Sequence, residues 1–168
     1  MSFSLIPQWS FPAVTDVSPE FLAAAGIRFL MLDLDNTIAS YGEHSPSDEI
    51  VRWAAGIKDS GVAMAIVSNS SRVIRVAAFA EALDVGSVIR ASKPSPAGLL
   101  HSMETAGFPS GESALAGDQV FTDTLAANRA GVLSIIVKPR KFTNPFLAIR
   151  YAIEIPFRSL ARKKVRSA

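Results

Sequence analysis

A chain of 168 residues, 49% of them apolar, has enough material for one domain with a buried core. It contains no cysteine, which excludes disulfides, cysteine-ligated zinc and thiol catalysis, and no apolar run reaches the ~20 residues that a membrane-spanning helix needs. The net charge of +2 hides an asymmetry: residues 1–137 hold 8 Lys/Arg against 14 Asp/Glu, whereas residues 138–168 hold 9 against 1, so the basic character belongs to the tail.

Residues 1–17, rich in proline and aromatics, are expected to form an irregular arm. MSFSLIPQWSFPAV lacks the basic start and long apolar middle of a secretory signal, so the expected location is cytoplasmic. Next comes a short helix, with Ser18 as cap, Pro19 at the first position and Gly26 as terminator. Five β-rich runs follow: GIRFLMLD (26–33), GVAMAIVS (61–68), VGSVIR (85–90), ESALAGD (112–118) and GVLSIIV (131–137). They are nearly continuous apolar runs rather than alternating ones, the pattern of strands covered on both faces.

Helical patterns lie between them. Ser47 caps a segment with Asp48 and Glu49 in its first turn, Ile50, Trp53, Ala54 and Ile57 on one face, and Gly61 as its stop. Similar segments occupy 71–83, 95–106 and 123–130, the last closed by Gly131. Alternating strand and helix predicts an α/β fold with a parallel sheet between two helical layers.

In such sheets ligands bind beyond the carboxyl ends of the strands. The residues collected there are Asp33 and Asp35 after the first strand, Ser68 and Asn69 after the second, Lys93 after the third, and Asp118 and Asp123 after the fourth. Four crowded carboxylates repel one another and oppose folding unless a cation neutralises them. An all-oxygen set without histidine or cysteine suits Mg²⁺ bound together with phosphate oxygens. Lys93 adds a point charge, and Ser68 with nearby amides adds hydrogen bonds to a phosphoryl group. One carboxylate can attack phosphorus while a second protonates the leaving oxygen and then activates water.

DLDNT (33–37), SNS (68–70), KP (93–94) and GDQVFTD (117–123) resemble, in order and at the ends of the corresponding strands, the four motifs of the haloacid dehalogenase (HAD) superfamily. GDQVFTDTLAANRAG in particular is similar to a bacterial HAD phosphatase family of subclass IIIA, itself similar to the mitochondrial phosphatidylglycerophosphate phosphatases of fungi and plants. The resemblance covers about residues 14–140. It implies a Rossmann-like three-layer sandwich with a five-stranded, mainly parallel sheet, and a Mg²⁺-dependent phosphatase working through an aspartyl phosphate. By the same resemblance Asp33 is the nucleophile and Asp35 the general acid/base. Ser68, with Asn69 beside it, binds the phosphoryl group, and Lys93 neutralises charge on Asp33 and the phosphate. Asp118 ligates Mg²⁺ with Asp33 and the Asp35 carbonyl, and Asp123 acts through a water or as an orienting group. The family commonly has asparagine where this chain has Ser70, which leaves substrate handling beside the second motif open.

The spacing leaves no room for a cap domain. Only some 24 residues separate Thr37 from the second strand, and Ser70 to Lys93 holds one helix and one short strand. An uncapped site favours a large substrate such as a lipid head group, a phosphoprotein or a nucleic acid end. These readings divide the chain into a core over 1–140 and a basic helical extension over 141–168.

Individual residues admit other readings. An acid in the first turn of a helix is expected for dipole reasons alone at Asp123, and Thr122 fits a helix cap. His44 and His101 lack partners at metal-ligand spacing and are expected at the surface, while Trp53 falls on an apolar stripe and is expected in the core. In the tail, Asn144 caps a helix with Pro145 at its first position and Phe146, Ile149 and Ile153 on one stripe; after Pro156, Phe157 and Leu160 oppose Arg158, Arg162, Lys163, Lys164 and Arg166. Two readings stay open for it: an interfacial helix drawn to the anionic inner face of a membrane, or a helix docked on the domain with a solvated basic end. A non-catalytic phospho-ligand or protein-binding module on the same fold is the alternative to an enzyme.

Overall fold

The computed structural model describes residues 3–163. Its strands are β1 (Trp9–Phe11), β2 (Phe29–Leu32), β3 (Ala63–Ser68), β4 (Gly86–Ile89), β5 (Ser113–Gly117), β6 (Leu133–Val137) and β7 (Arg162–Lys163). Its helices are α1 (Pro19–Ala24), α2 (Asp48–Asp59), α3 (Val73–Leu83), α4 (Ala97–Ala106), α5 (Leu125–Ala130) and α6 (Pro145–Ser159). The sheet order is β4-β3-β2-β5-β6-β1-β7 and every pairing is parallel.

The five expected strands form the body of this sheet, with β2 at its middle. Alternate residues of β2 serve opposite faces. Leu30 and Leu32 pack with Ile50, Ile57 and Phe79 of α2 and α3, whereas Phe29 and Met31 pack with Leu99, Met103 and Ala126 of α4 and α5. That double coverage is why these strands read as continuous apolar runs. The helix starts follow local chemistry: the hydroxyls of Ser18 and Ser47 and the side-chain oxygen of Asn144 accept the N–H groups of Phe21, Ile50 and Leu147 at 3.2, 3.4 and 3.0 Å. Trp53 is half-buried against the core and donates its indole N–H to the Val17 carbonyl at 2.9 Å.

The sheet is wider than five strands, and the N-terminal arm is not irregular throughout. Trp9–Phe11 pairs in parallel with β6, and Arg162–Lys163 then pairs with β1. The edge of β6 supplies unpaired backbone groups, and the rings of Trp9 and Phe11 close on Phe21 with centroids 5.0 and 4.9 Å away.

No domain is inserted beside the site. Residues 33–47 are a compact loop between β2 and α2, and α3 with β4 alone separates Ser68 from the Lys93 loop. α6 runs unbroken through Pro156, which sits in its last turn on the exposed side, opposite an exposed Ala152 whose carbonyl water can satisfy. No described helix is long and apolar enough to cross a membrane. Lys164 and Arg166 lie outside the described residues.

Candidate active site

As β2 ends, the Asp33 N–H still bonds the Ala116 carbonyl at 2.9 Å, so the carboxylate is mounted on the sheet itself. The chain then turns sharply. Asn36 takes a left-handed conformation (φ 62°), one that asparagine tolerates better than most residues, and its N–H reaches the Ala39 carbonyl at 2.6 Å. The turn lets the Thr37 hydroxyl donate to Asp33 Oδ2 at 3.4 Å.

Lys93 ties three strand ends together. Its buried Nζ lies 2.6 Å from Asp33 Oδ1 and 2.7 Å from Asp123 Oδ1. Its main chain is clamped by Asn69, whose Nδ2 donates to the Lys93 carbonyl and whose Oδ1 accepts the Lys93 N–H, both at 2.8 Å. Asn69, expected on the substrate, lines the cavity and in this structure its amide holds the Lys93 main chain. Ser68 is buried, and its Oγ accepts the Ser70 N–H at 3.0 Å, which leaves the hydroxyl proton free to donate.

Asp118 follows β5, and Asp123 comes from a π turn, Val120–Thr124, that leads into α5. The π turn brings Asp123 back over the end of β5, where its Oδ2 accepts the Gln119 N–H at 3.0 Å. Gly117 makes the approach possible, because a β-carbon there would overlap the Asp123 carboxylate.

Asp33, Asp118 and Asp123 are all buried and offer carboxylate oxygens within 4.8 Å of one another. Burial, opposed by Lys93 and reinforced by Asp123, pushes the Asp33 carboxyl up to about 7. Burial, with Asp123 and Asp33 adding to it, also raises Asp118 well above the ordinary carboxylate range. Burial pulls Lys93 down, but Asp123 and Asp33 outweigh it and hold the ammonium above its usual value.

The Asp35 carboxylate does not join this cluster. It pairs with Arg75 at 2.7 Å, and Arg75 also donates to the carbonyls of Ser40 (3.0 Å) and Glu43 (2.8 Å), stapling the 33–47 loop to α3. Any part of Asp35 in metal binding therefore falls to its main-chain carbonyl, as the motif resemblance implied. Arg75 is buried and was missed in the sequence; the available signal was a charged residue four positions before Phe79 on the buried stripe of α3.

The C-terminal helix also reaches the site, on its polar face. Glu154 accepts the Val120 N–H at 3.0 Å and pairs with Arg158 at 2.8 Å, both side chains buried. Arg158 donates to the Val137 carbonyl at 2.9 Å and to the Asp118 carbonyl. Arg150 Nη2 is 3.9 Å from Asp118 Oδ2. The face that docks is thus Leu147, Tyr151, Glu154 and Arg158, not the apolar stripe.

A divalent cation fits the donors present. Among the described residues neither carboxylate oxygen of Asp118 has a hydrogen-bond partner, both are buried, and three buried acids crowd the same place. An all-carboxylate set of this kind suits a hard, oxygen-seeking ion such as Mg²⁺. His44 and His101 are exposed and away from the cluster.

A family model for haloacid dehalogenase-like hydrolases matches residues 13–131. The chain belongs to this family. It is accordingly an enzyme, a HAD-type phosphatase in class. It is 27% identical over 148 residues to the Probable phosphatase YqeG of Bacillus subtilis (strain 168), covering 88% of this chain and 85% of that one. Among solved structures, it shares its fold with 3-deoxy-D-manno-octulosonate 8-phosphate phosphatase from Moraxella catarrhalis, a complex with magnesium and phosphate ions and the KDO sugar. The TM-score is 0.59 at 18% identity, with 88% and 81% of the two chains covered. A cobalt-bound phosphatase of the same kind from Haemophilus influenzae gives a TM-score of 0.53 at 17% identity, covering 67% and 69%.

In this HAD-like hydrolase a cavity of about 210 Å³ opens over the cluster, lined by Asp33, Asp35, Tyr41, Ser68, Asn69, Lys93, Thr122 and Asp123 among others. Tyr41 was not anticipated. Burial, then the charge of Asp118, pushes its phenol up, so it faces the cavity as a neutral donor.

Proposed function

We propose that the protein is a Mg²⁺-dependent phosphatase that hydrolyses a phosphate monoester through an aspartyl phosphate on Asp33. The observation that carries this is the Lys93 ammonium held 2.6 and 2.7 Å from Asp33 and Asp123, beside the buried Asp118 carboxylate, which accepts no hydrogen bond from the described residues. Asp33 attacks phosphorus, and the bond from phosphorus to the ester oxygen breaks as Asp35 protonates that oxygen. Asp35 then takes a proton from a water that attacks the same phosphorus, releasing phosphate and freeing Asp33. Arg75 occupies one oxygen of Asp35 and leaves the other for proton transfer. Ser68 donates to a phosphoryl oxygen, and Lys93 offsets charge on the nucleophile and the phosphate.

Asp33, Asp118 and the Asp35 carbonyl would hold Mg²⁺, with Asp123 orienting Lys93 or reaching the ion through a water. When bound, the ion would neutralise charge on the carboxylates and on the phosphoryl oxygens.

The substrate class that the uncapped cavity and the basic tail support best is a lipid phosphate at an anionic membrane surface, such as phosphatidylglycerophosphate. Similarity of the GDQVFTDTLAANRAG segment to subclass IIIA phosphatases points the same way. A phosphate-release screen across phosphatidylglycerophosphate, sugar phosphates, nucleotides and phosphopeptides, with Mg²⁺ present or chelated, tests both parts. Mg²⁺-dependent release with preference for the lipid is expected. Robust turnover by Asp33→Asn would overturn the mechanism, and silence on every phosphoester would favour a non-catalytic binding module.

A further inference from the structure

We infer that the outward face of α6 is a docking surface for an anionic phospholipid bilayer, holding the active-site mouth against the membrane. For its purpose the inference rests on the lipid-phosphate reading above; for its geometry it rests on this region of the molecule alone.

The rotation of α6 is fixed by its polar side. Glu154 and Arg158 are locked to Val120, Val137 and Asp118, so the apolar stripe cannot turn inward. Phe146, Ile149 and Ile153 are consequently 69%, 60% and 56% exposed, and Leu160 at the end of the helix is 66% exposed. Spacings of three and four residues put these side chains on one side of the helix. An apolar stripe of this length in contact with water marks an interaction surface.

Charge selects the occupant. Glu154 is the only acid in residues 138–168, and it is buried and paired, so the solvent-facing part of this segment has no negative side chain. Lys138, Arg140 and Lys141 precede the helix, Arg162 follows it, and all four are exposed. A surface with apolar residues in the centre and basic residues around them complements anionic lipid head groups above acyl chains. A second copy pairing through this same face would instead bring like charges together.

The segment leading into the surface is tied to the loop that carries Asp33 and Asp35. The N–H groups of Arg140 and Lys141 donate to the main-chain and side-chain oxygens of Asn36 at 3.0 and 3.3 Å, so the segment leading into α6 starts on the active-site loop. At the start of α3, Ile74 is 87% exposed, and the neighbouring Arg72 donates to the Tyr41 carbonyl of the same loop at 3.3 Å.

The test is co-sedimentation of the full chain with vesicles of phosphatidylcholine alone, or of phosphatidylcholine mixed equally with phosphatidylglycerol. Binding is expected only to the mixed vesicles and should be lost at high salt, where the Debye length falls to about 3 Å at 1 M. Lys138→Gln and Lys141→Gln are each expected to weaken binding about fivefold. The triple variant Phe146→Ser, Ile149→Ser, Ile153→Ser is expected to lose it, while hydrolysis of p-nitrophenyl phosphate in solution, which reads the site and not the helix, stays unchanged. Three results would overturn the inference: no binding of the wild type to mixed vesicles, undiminished binding by the triple variant, or a wild-type dimer that the triple variant dissolves in place of vesicle binding. Failure of aryl phosphate hydrolysis with vesicle binding intact would remove the phosphatase reading and leave the docking surface standing.

Discussion

Replacing Arg158 with methionine removes a buried cation that pairs with Glu154 and donates to the carbonyls of Val137 and Asp118. Glu154 is then left buried with its charge facing, among the described residues, the Val120 N–H and Arg150 at 4.0 Å. Removing one partner of a buried pair costs about 3–5 kcal/mol, a large share of the roughly 5–15 kcal/mol that holds a domain folded. The double variant Glu154→Leu/Arg158→Met leaves no orphan charge, so it should regain part of the loss despite removing more groups. Urea denaturation of wild type, single and double variants reads this directly. Stability is not the only expected effect. The Asp118 carbonyl is one of the groups that Arg158 holds, so the Mg²⁺ concentration for half-maximal activity should rise about tenfold or more in the folded single variant. Arg158→Lys, which restores the charge without the two-pronged geometry, should recover only part of that affinity. A single variant as stable as wild type, or a double variant less stable than the single, would refute the reasoning.

Four further outcomes follow from the site. Asp33 carries a folded-state pKa raised from 3.8 to about 7, so the unfolded chain loses this proton first and the metal-free fold weakens as pH rises through that interval. The shift of about 3 units corresponds to a loss of up to roughly 4 kcal/mol, and Asp118 acts in the same direction. Saturating Mg²⁺ should flatten that slope in denaturation measured against pH, with protons released on binding; an unchanged slope would count against the ion's place among these acids. Lys93→Met should abolish turnover and widen the stability gap from wild type as pH rises, since the exposed repulsion among three carboxylates grows with their ionisation; a gap independent of pH would contradict the electrostatic role of Lys93. Gly117→Ala places a methyl group against the Asp123 carboxylate and should cost activity well beyond its effect on folding, measured as the ratio of turnover to folded fraction. Arg75→Lys should leave binding of a phosphate analogue intact while shifting the pH profile of turnover, because it changes the partner of Asp35; an unmoved profile would remove Arg75 from the mechanism.

The body of the sheet was legible because its strands are covered on both faces, which makes each an unbroken apolar run. The rule that ligands gather beyond the carboxyl ends of parallel strands then brought Asp33, Ser68, Lys93, Asp118 and Asp123 together before any coordinates did. The missed elements are those whose partners are distant in sequence. Trp9–Phe11 and Arg162–Lys163 are too short to show a period, and they become strands only because β6 offers an edge. The clamp of Asn69 on the Lys93 main chain, which spans 24 residues, left no local trace either. In α6 the stripe of Phe146, Ile149 and Ile153 left open whether it docks on the domain or faces an interface; the buried side is Glu154 and Arg158. Their mutual pairing and the free backbone groups of residues 118, 120 and 137 make that side the one with partners, and a hydrophobic pattern contains no information about them.

The central claim is that Asp33 itself is phosphorylated during turnover. An acyl phosphate is reduced by borohydride, which converts the aspartate that carried it to homoserine. Acid-quenched protein caught during turnover with Mg²⁺ and p-nitrophenyl phosphate, then reduced and mapped by peptide mass spectrometry, should therefore show homoserine at position 33 and unmodified Asp35, Asp118 and Asp123. Label at another aspartate, or steady turnover with none at Asp33, would contradict the account.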